Sequence, residues 1–392
     1  MRHVKERITA YVRDRAAEMT ALSRAVNARP ELAFEEHETA GLLVRTLTAG
    51  GRFSVERGVA GLPTAFVATA GTGELEIGIC AEMDALPGVG HGCGHNVIAA
   101  AAVTAGLALA EVADELGITV RVLGTPAEER GAGKVLMLEA GVFDGLHAAM
   151  MVHPTLKDMV TPKIRATRMW QIAYTGREAH ASRPREGRNA ADAAVIAQTA
   201  IGLLRQQLPD GVRVHYVVKE AGAAVNIIPG RAVIECMIRC DTLAQVDATW
   251  RRVRACFEAG ALAAGVEIEV GEPLLSCPEF RHDPDLARLF QANAEALGRT
   301  FPDYEDRALG STDMANVSHH VPSIHPVLSL DAPPEHGNHT AGFAAAAGSA
   351  TGDLAVLDGG LAMALTVADL ATSEVVRARL IAGRASRSGA AV

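Results

Sequence analysis

Cys93 and His95 stand two residues apart in the stretch His91-Gly92-Cys93-Gly94-His95-Asn96. A thiolate beside an imidazole suits borderline or soft divalent metals such as zinc, manganese, cobalt or nickel. The glycines on either side of Cys93, Gly92 and Gly94, allow a tight turn against a ligand. A Gly-rich turn around a small buried cysteine would look the same, so the pair gains weight only from its company. Part of that company is Glu128 and Glu129, which follow Thr125-Pro126-Ala127. Read as an extended segment, adjacent side chains point apart. One carboxylate can then hold a metal while its neighbour faces substrate as general base. His153 before Pro154, and His336 and His339 further on, add imidazoles. Each alone reads as easily as a loop or core histidine.

What gives these residues force is the elements that must carry them. Helical periodicity spans about 4–27 and 37–47, and strand patterns fill 64–69 and 75–80. An Ala-rich helix starts near Val97, a strand covers 119–123, a helix 134–140 and a strand 148–152. Strands alternating with helices predict a mostly parallel sheet, where ligands sit at the carboxyl ends of strands. Those ends deliver Glu82-Met83-Asp84, Glu128-Glu129 and His153. A strand at 323–330 leads to Asp331 and the His336/His339 loop. Four strand ends bringing acids and imidazoles to one edge are hard to explain by packing alone.

The middle of the chain differs. Residues 169–174 and 234–240 alternate like half-buried antiparallel strands, with helices at about 189–206 and 243–259 and a strand at 265–270. The fold class predicted is α/β: a mostly parallel-sheet catalytic domain with an inserted α+β lid. The expected boundaries are 1–166 and 277–392 for the catalytic domain and 167–276 for the lid, a division suited to 392 residues. After the βα pattern resumes, a helix is expected at 285–297, and the tail beyond Arg384 is expected to fray. In the lid, His180, Arg183, Arg185 and Arg188 precede a helix start, a pattern that suits anion binding or a plain solvated loop. Asn226 and Arg239 are further candidate donors.

The formal net charge of −9 argues against a general nucleic-acid binder. The apolar stretch 97–110 is too short to span a bilayer, so no membrane partner is expected. Six dispersed cysteines and a charged N-terminal helix favour reduced thiols and a cytoplasmic location.

Taken in order, the blocks Ala28–Ala40, Ala81–Asn96, Gly124–Asp144, Met150–Pro154, Gly176–Ala193, Val225–Pro229, Gly310–Pro326 and Asn338–Phe343 resemble the aminoacylase/carboxypeptidase metallopeptidase family. The branch is that of p-aminobenzoyl-glutamate hydrolase and the auxin-conjugate hydrolases. The resemblance implies two divalent ions, manganese or zinc first and cobalt or nickel next. It implies Cys93, His95, Glu129, His153 and His339 as their ligands, Glu128 as general base and Asp84 as the carboxylate that orients a ligand. It further implies a homodimer through the lid, with His180 reaching an active site across it to hold an oxyanion. Asn226 and Arg239 would bind the carboxylate of a small-molecule substrate, with Arg183 and Arg188 as further contacts. Two positions depart from the family pattern. Asn96 replaces an aspartate, removing a charge expected beside the metals, and Glu82 replaces a histidine of more distant relatives.

The chemistry implied is cleavage of a C–N bond in an N-acyl or aminobenzoyl amino acid or a dipeptide. Divalent ions lower the pKa of a shared water from about 16 towards 7. One alternative keeps the metals and displaces ammonia from an aminobenzoate ring of the anthranilate type. Another makes Cys93 a nucleophile, and a last one is a non-catalytic ligand-binding member of the fold.

Overall fold

A computed structural model describes residues 2–304 and 308–389, divided into two compact units. The first comprises 1–162, 281–307 and 312–392. The second comprises 163–280 and 308–311.

The first unit is built on a six-stranded sheet in the order Ser54–Arg57, Phe66–Ala70, Ile118–Thr125, Leu75–Glu82, Ala148–Met150, Ser323–Ile324. The last four run parallel, while the first two form an antiparallel edge. Parallel register places Glu82 beside Thr125 and Ile79 beside Met150, so the carboxyl ends line one edge. Burial dictates the residue types. The Leu75–Glu82 and Ile118–Thr125 strands are buried on both faces and mostly apolar, with the partly exposed ion pair Glu76–Arg121 as the exception.

The helix His95–Ala110 is buried along its whole length. It packs on Ala350–Thr372, and Gly360 makes the close approach possible, since a Cβ there would meet Thr104 Cβ at 2.6 Å. Ala350–Thr372 is apolar and long enough to cross a membrane, yet 78% of its apolar window is buried inside the protein. It is the core partner of His95–Ala110, and it is longer than the apolar stretch singled out in the sequence.

In the second unit an antiparallel sheet runs Arg213–Glu220, Arg231–Cys240, Ala166–Thr175, Glu267–Val270, with Leu275–Cys277 also pairing Ala166–Thr175. The helices Ala190–Leu204 and Leu243–Ala264 pack on each other and on this sheet. Asn189 and Thr242 cap their starts with side-chain hydrogen bonds. Trp170, Ile172, Tyr174, Ile234 and Phe257 form the core, and the Tyr174 hydroxyl donates to the Phe257 carbonyl at 2.9 Å.

Four local expectations change. The N-terminal helix breaks at Arg15 into Arg2–Asp14 and Ala16–Asn27. A short edge strand, Ser54–Arg57, was not expected, because its exposed residues carry no apolar alternation. The strand expected at 323–330 is two pieces split at His325-Pro326: Ser323–Ile324 joins the main sheet, and Val327–Ser329 pairs with His153–Thr155. Past Arg384 the helix Glu374–Gly389 continues instead of fraying, and 390–392 lie outside the described residues.

Candidate metal centre

The loop His91–Asn96 turns at Gly94, which has φ 81° and no room for a side chain: a Cβ would meet Pro154 Cγ at 2.4 Å. That turn starts the buried helix at His95 and sends Cys93 and His95 to the sheet edge. Cys93 Sγ lies 3.5 Å from His153 Nε2. His153 Nδ1 is 2.8 Å from the Pro154 carbonyl, which can only accept, so Nδ1 carries the proton and Nε2 presents a lone pair. Burial drops the His153 pKa to about 4, keeping the imidazole neutral as a ligand must be. His325, also buried, stacks on it with centroids 5.4 Å apart.

Asp84 organises the neighbouring side. Its Oδ1 lies 3.1 Å from His95 Nδ1 and accepts the Glu128 amide at 3.1 Å, while Oδ2 accepts the Glu129 amide at 3.0 Å. His95 Nε2 therefore faces the other way, 3.4 Å from Glu82 Oε2 and 3.9 Å from Glu129 Oε1. Burial opposes charge on His95, but its hydrogen bond with Asp84, helped by the neighbouring Cys93, outweighs burial and holds its pKa well above the usual value. His339, in a left-handed conformation (φ 71°), is tied to the loop by its amide donating to the Gly92 carbonyl at 2.7 Å. Its Nε2 is 3.5 Å from Glu129 Oε1.

Four overlapping groups result among the described residues: Cys93, His95, His153; Cys93, Glu129, His339; His95, Glu128, Glu129; and Glu82, Glu128, Asp313, with donor atoms within 4.8 Å of one another in each. Among the described residues His339, not His336, joins them. Three donor atoms are buried without a hydrogen-bond partner: His95 Nε2, Glu129 Oε1 and Glu82 Oε2. Buried polar atoms are rarely left so, and atoms of this type facing one another want a cation between them. A thiol, imidazoles and carboxylates are the donor set a divalent transition metal takes, so the residues fit such ions.

Glu128 and Glu129 lie on a single helical turn, Glu128–Gly131, and not on the extended segment expected. Ala127, with φ 58°, turns the chain into it. The carboxylate oxygens of the two glutamates do not point apart as expected but come within 4.8 Å of each other and of a His95 nitrogen. Burial, with the negative charges of Glu82 and Asp313, raises the Glu128 pKa well above the usual carboxylate range, a property of general bases.

Sequence reasoning passed over Lys134 and Asp313. Lys134 is wholly buried; its Nζ donates to Glu82 Oε1 at 2.6 Å and to Asp313 Oδ1 at 2.7 Å, and its amide donates to Asp313 Oδ2 at 2.9 Å. Burial opposes ionisation of Glu82, but Lys134 outweighs it and holds its pKa below the usual range. The one signal was a lone lysine in the apolar run Gly133–Leu138. Asn96 does not face the metals as expected. Its amide donates to Ser23 Oγ and to the Ala347 carbonyl, both at 2.9 Å, because the first turn of the buried helix points it at neighbouring helices.

The remaining candidates lie in the second unit. His180 is exposed, with Nδ1 2.7 Å from Ser182 Oγ. Asn226 is exposed, and its carbonyl accepts the Ala181 amide at 2.9 Å. Arg183 and Arg188 are exposed or nearly so, and Arg188 donates to the Gly265 carbonyl at 3.2 Å. Arg239 is partly buried and has no carboxylate partner among the described residues; burial, then Arg165, lowers its pKa.

Residues 78–346 match the peptidase family M20/M25/M40. Over 386 residues the chain is 36% identical to the Xaa-Arg dipeptidase of Mus musculus, covering 94% of this chain and 89% of that protein. It is 35% identical over 381 residues to the Xaa-Arg dipeptidase of Homo sapiens, covering 91% and 86%. It is also 33% identical over 262 residues to one of the subunits of the p-aminobenzoyl-glutamate hydrolase of Escherichia coli (strain K12), covering 61% and 54%. In fold it resembles a dinuclear metal-binding M20 peptidase from Bacillus subtilis. The TM-score is 0.70 at 23% identity, over 91% of this chain and 98% of that one.

Proposed function

The chain belongs to the peptidase family M20/M25/M40, and on that premise we propose that its metals are held by Cys93, His95, Glu129, His153 and His339 while Glu128 moves the proton. As a member it is a metal-dependent hydrolase of C–N bonds acting on small amide or peptide substrates. The observation that carries the residue assignment is the pair His95 Nε2 and Glu129 Oε1, both buried and unpartnered and 3.9 Å apart.

Two divalent ions, manganese or zinc, supply Lewis acidity and an acidified water. Glu128 accepts the water's proton and returns it to the leaving nitrogen. Asp84 keeps His95 in one tautomer and, through two backbone amides, aims Glu128 and Glu129. His180 donates to the developing oxyanion, a role worth roughly 3–4 kcal/mol per donor. Asn226 and Arg239 bind the substrate's carboxylate, a reading supported by the partly buried guanidinium without an acidic partner. Arg183 and Arg188 widen the positive surface that attracts it. The substrate is a dipeptide or N-acyl amino acid with a free carboxylate.

Two chains pair through the second unit. Support comes from the exposed Val217 and Val218 on the edge strand Arg213–Glu220, and from Leu203 and Leu262 on its helices. No disulfide joins cysteines among the described residues, which suits a reducing cytoplasm.

The test is a screen of manganese- and zinc-reconstituted protein on Xaa-Arg dipeptides, aminobenzoyl-glutamate, N-acyl amino acids and substituted anthranilates. Amide or peptide cleavage that stops with Glu128→Gln at unchanged metal content is expected. Release of ammonia from an anthranilate, with no amide cut, would replace this reading by an aryl aminohydrolase. Turnover that survives chelation but not thiol alkylation would make Cys93 a nucleophile.

A further inference from the structure

Three successive amides lead into the Glu128–Gly131 turn, and carboxylates claim all of them. Asp84 takes those of Glu128 and Glu129. The Ala127 amide donates instead to Glu36 Oε1 at 2.9 Å. The same oxygen accepts the Phe34 amide at 3.0 Å, and Glu36 Oε2 accepts the Thr64 hydroxyl at 2.8 Å. Glu36 is fully buried, and Thr64 and Ala127 are too.

Phe34 and Ala127 share a rare property: both are left-handed without being glycine, with φ 66° and 58°. For a residue with a Cβ that conformation is unfavourable, so something outside the residue must hold it. A single oxygen, Glu36 Oε1, bonds both amides. The Phe34 ring also lies against the far end of the turn, where a Cβ on Gly131 would meet Phe34 Cε2 at 2.3 Å. The segment 34–36 thus grips the turn at its entrance and its exit.

We propose that Glu36 is a positioning residue for the reaction: by pinning Ala127 in the left-handed conformation it fixes the direction in which Glu128 leaves the backbone. Its carboxylate's hydrogen bonds among the described residues are with Phe34, Thr64 and Ala127, and none is with a metal-ligating side chain. The inference rests on the reading of Glu128 as the base. Misplacing such a group by about 1 Å can cost a hundredfold in rate without any change in what binds.

The decisive variants are Glu36→Leu, Ala127→Gly and the pair together, studied in the metal-replete full chain. Glu36→Leu is expected to lower kcat about 10–100-fold with KM within about threefold and two metals retained at saturating manganese. Glu36→Gln keeps one carbonyl oxygen that can accept both amides and retains most of kcat, and Thr64→Val, which frees only the other oxygen, gives a small loss. Adding Ala127→Gly to Glu36→Leu removes the steric cost of the left-handed turn and recovers part of the lost kcat. A purely structural role would move the melting temperature and leave no reason for that recovery.

Wild-type kcat in Glu36→Leu overturns the proposal. So does a loss shared equally by kcat and folded fraction that Ala127→Gly fails to relieve. If the wild-type chain turned over nothing in the substrate screen, the hydrolase reading would fail on its own. The positioning role would then be read from manganese affinity, because Glu129 rides on the same turn. About tenfold weaker binding in Glu36→Leu, restored by Ala127→Gly, is expected, and equal affinity overturns it.

Discussion

Two clusters of ionisable side chains lie next to each other in the first unit, and they differ in one respect. Around Lys134, the carboxylates of Glu82 and Asp313 share an ammonium that belongs to the chain, at 2.6 and 2.7 Å. Around Cys93, His95, Glu129, His153 and His339, no lysine or arginine takes part among the described residues, and His95 Nε2 and Glu129 Oε1 lack partners. Both clusters are rich in proton-binding groups and both lie at the same sheet edge. One has its cation built in and is closed; the other, on the assignment proposed above, takes its cations from solution. Glu82 stands in both, with Oε1 on Lys134 and Oε2 turned to His95. A built-in charge makes scaffold, and a missing one makes a site.

The sharpest way to break this contrast is at Glu128, which sits beside both clusters. Glu128→Gln is expected to keep two metals per chain by elemental analysis and to lose turnover by about 10²–10⁴-fold. Retained activity would mean that the open cluster does no proton chemistry through this residue. Next in size is Lys134→Met. Removing one partner from a buried ion network costs about 3–5 kcal/mol, read as a fall in the urea midpoint. If that variant were as stable as wild type and took up an additional metal among Glu82, Glu128 and Asp313, the closed cluster would prove to be a metal site in waiting.

Acid should separate the clusters as well. Burial pushes the Cys93 thiol up, and the hydrogen bond with Asp84 holds His95 up against burial, so each favours carrying a proton in the metal-free protein. Metal binding must displace them, and affinity falls as pH falls, by about 100-fold per unit for two protons. Calorimetry in buffers of different ionisation enthalpy counts the protons released; none released would contradict the ligand assignment. The gentlest effect lies in the second unit. Arg183→Ala leaves an exposed, solvated position, so KM for a carboxylate substrate should rise by about two- to fivefold at low salt and converge with wild type at high salt.

The edge of the parallel sheet was readable because its strands are apolar runs ending abruptly in Glu82-Met83-Asp84, Glu128-Glu129 and His153. Cys93 and His95 were readable from type and spacing. Lys134 was not: inside Gly133–Leu138 it looks like an ordinary helix residue, and only the fold reveals that its ammonium never meets water. Glu36 was hidden for a related reason. Its partners are the amides of Phe34 and Ala127, 91 residues apart in the second case, and backbone partners leave no trace in residue types. The turn at Glu128 escaped because Ala127 adopts a left-handed conformation that alanine does not advertise. Local pattern reports where chemistry surfaces; it is silent on the carboxylates beneath that hold it still.

Asp84 grips the imidazole of His95 with one oxygen and the amides of Glu128 and Glu129 with both. On the assignment proposed above, coordination by His95 and proton transfer by Glu128 share a pivot and cannot be retuned one without the other. A designer who shifts His95 to suit a larger ion will also swing the base. New specificities in this scaffold are better sought in the second unit, where exposed residues such as Arg183 and Arg188 can change without disturbing that hinge.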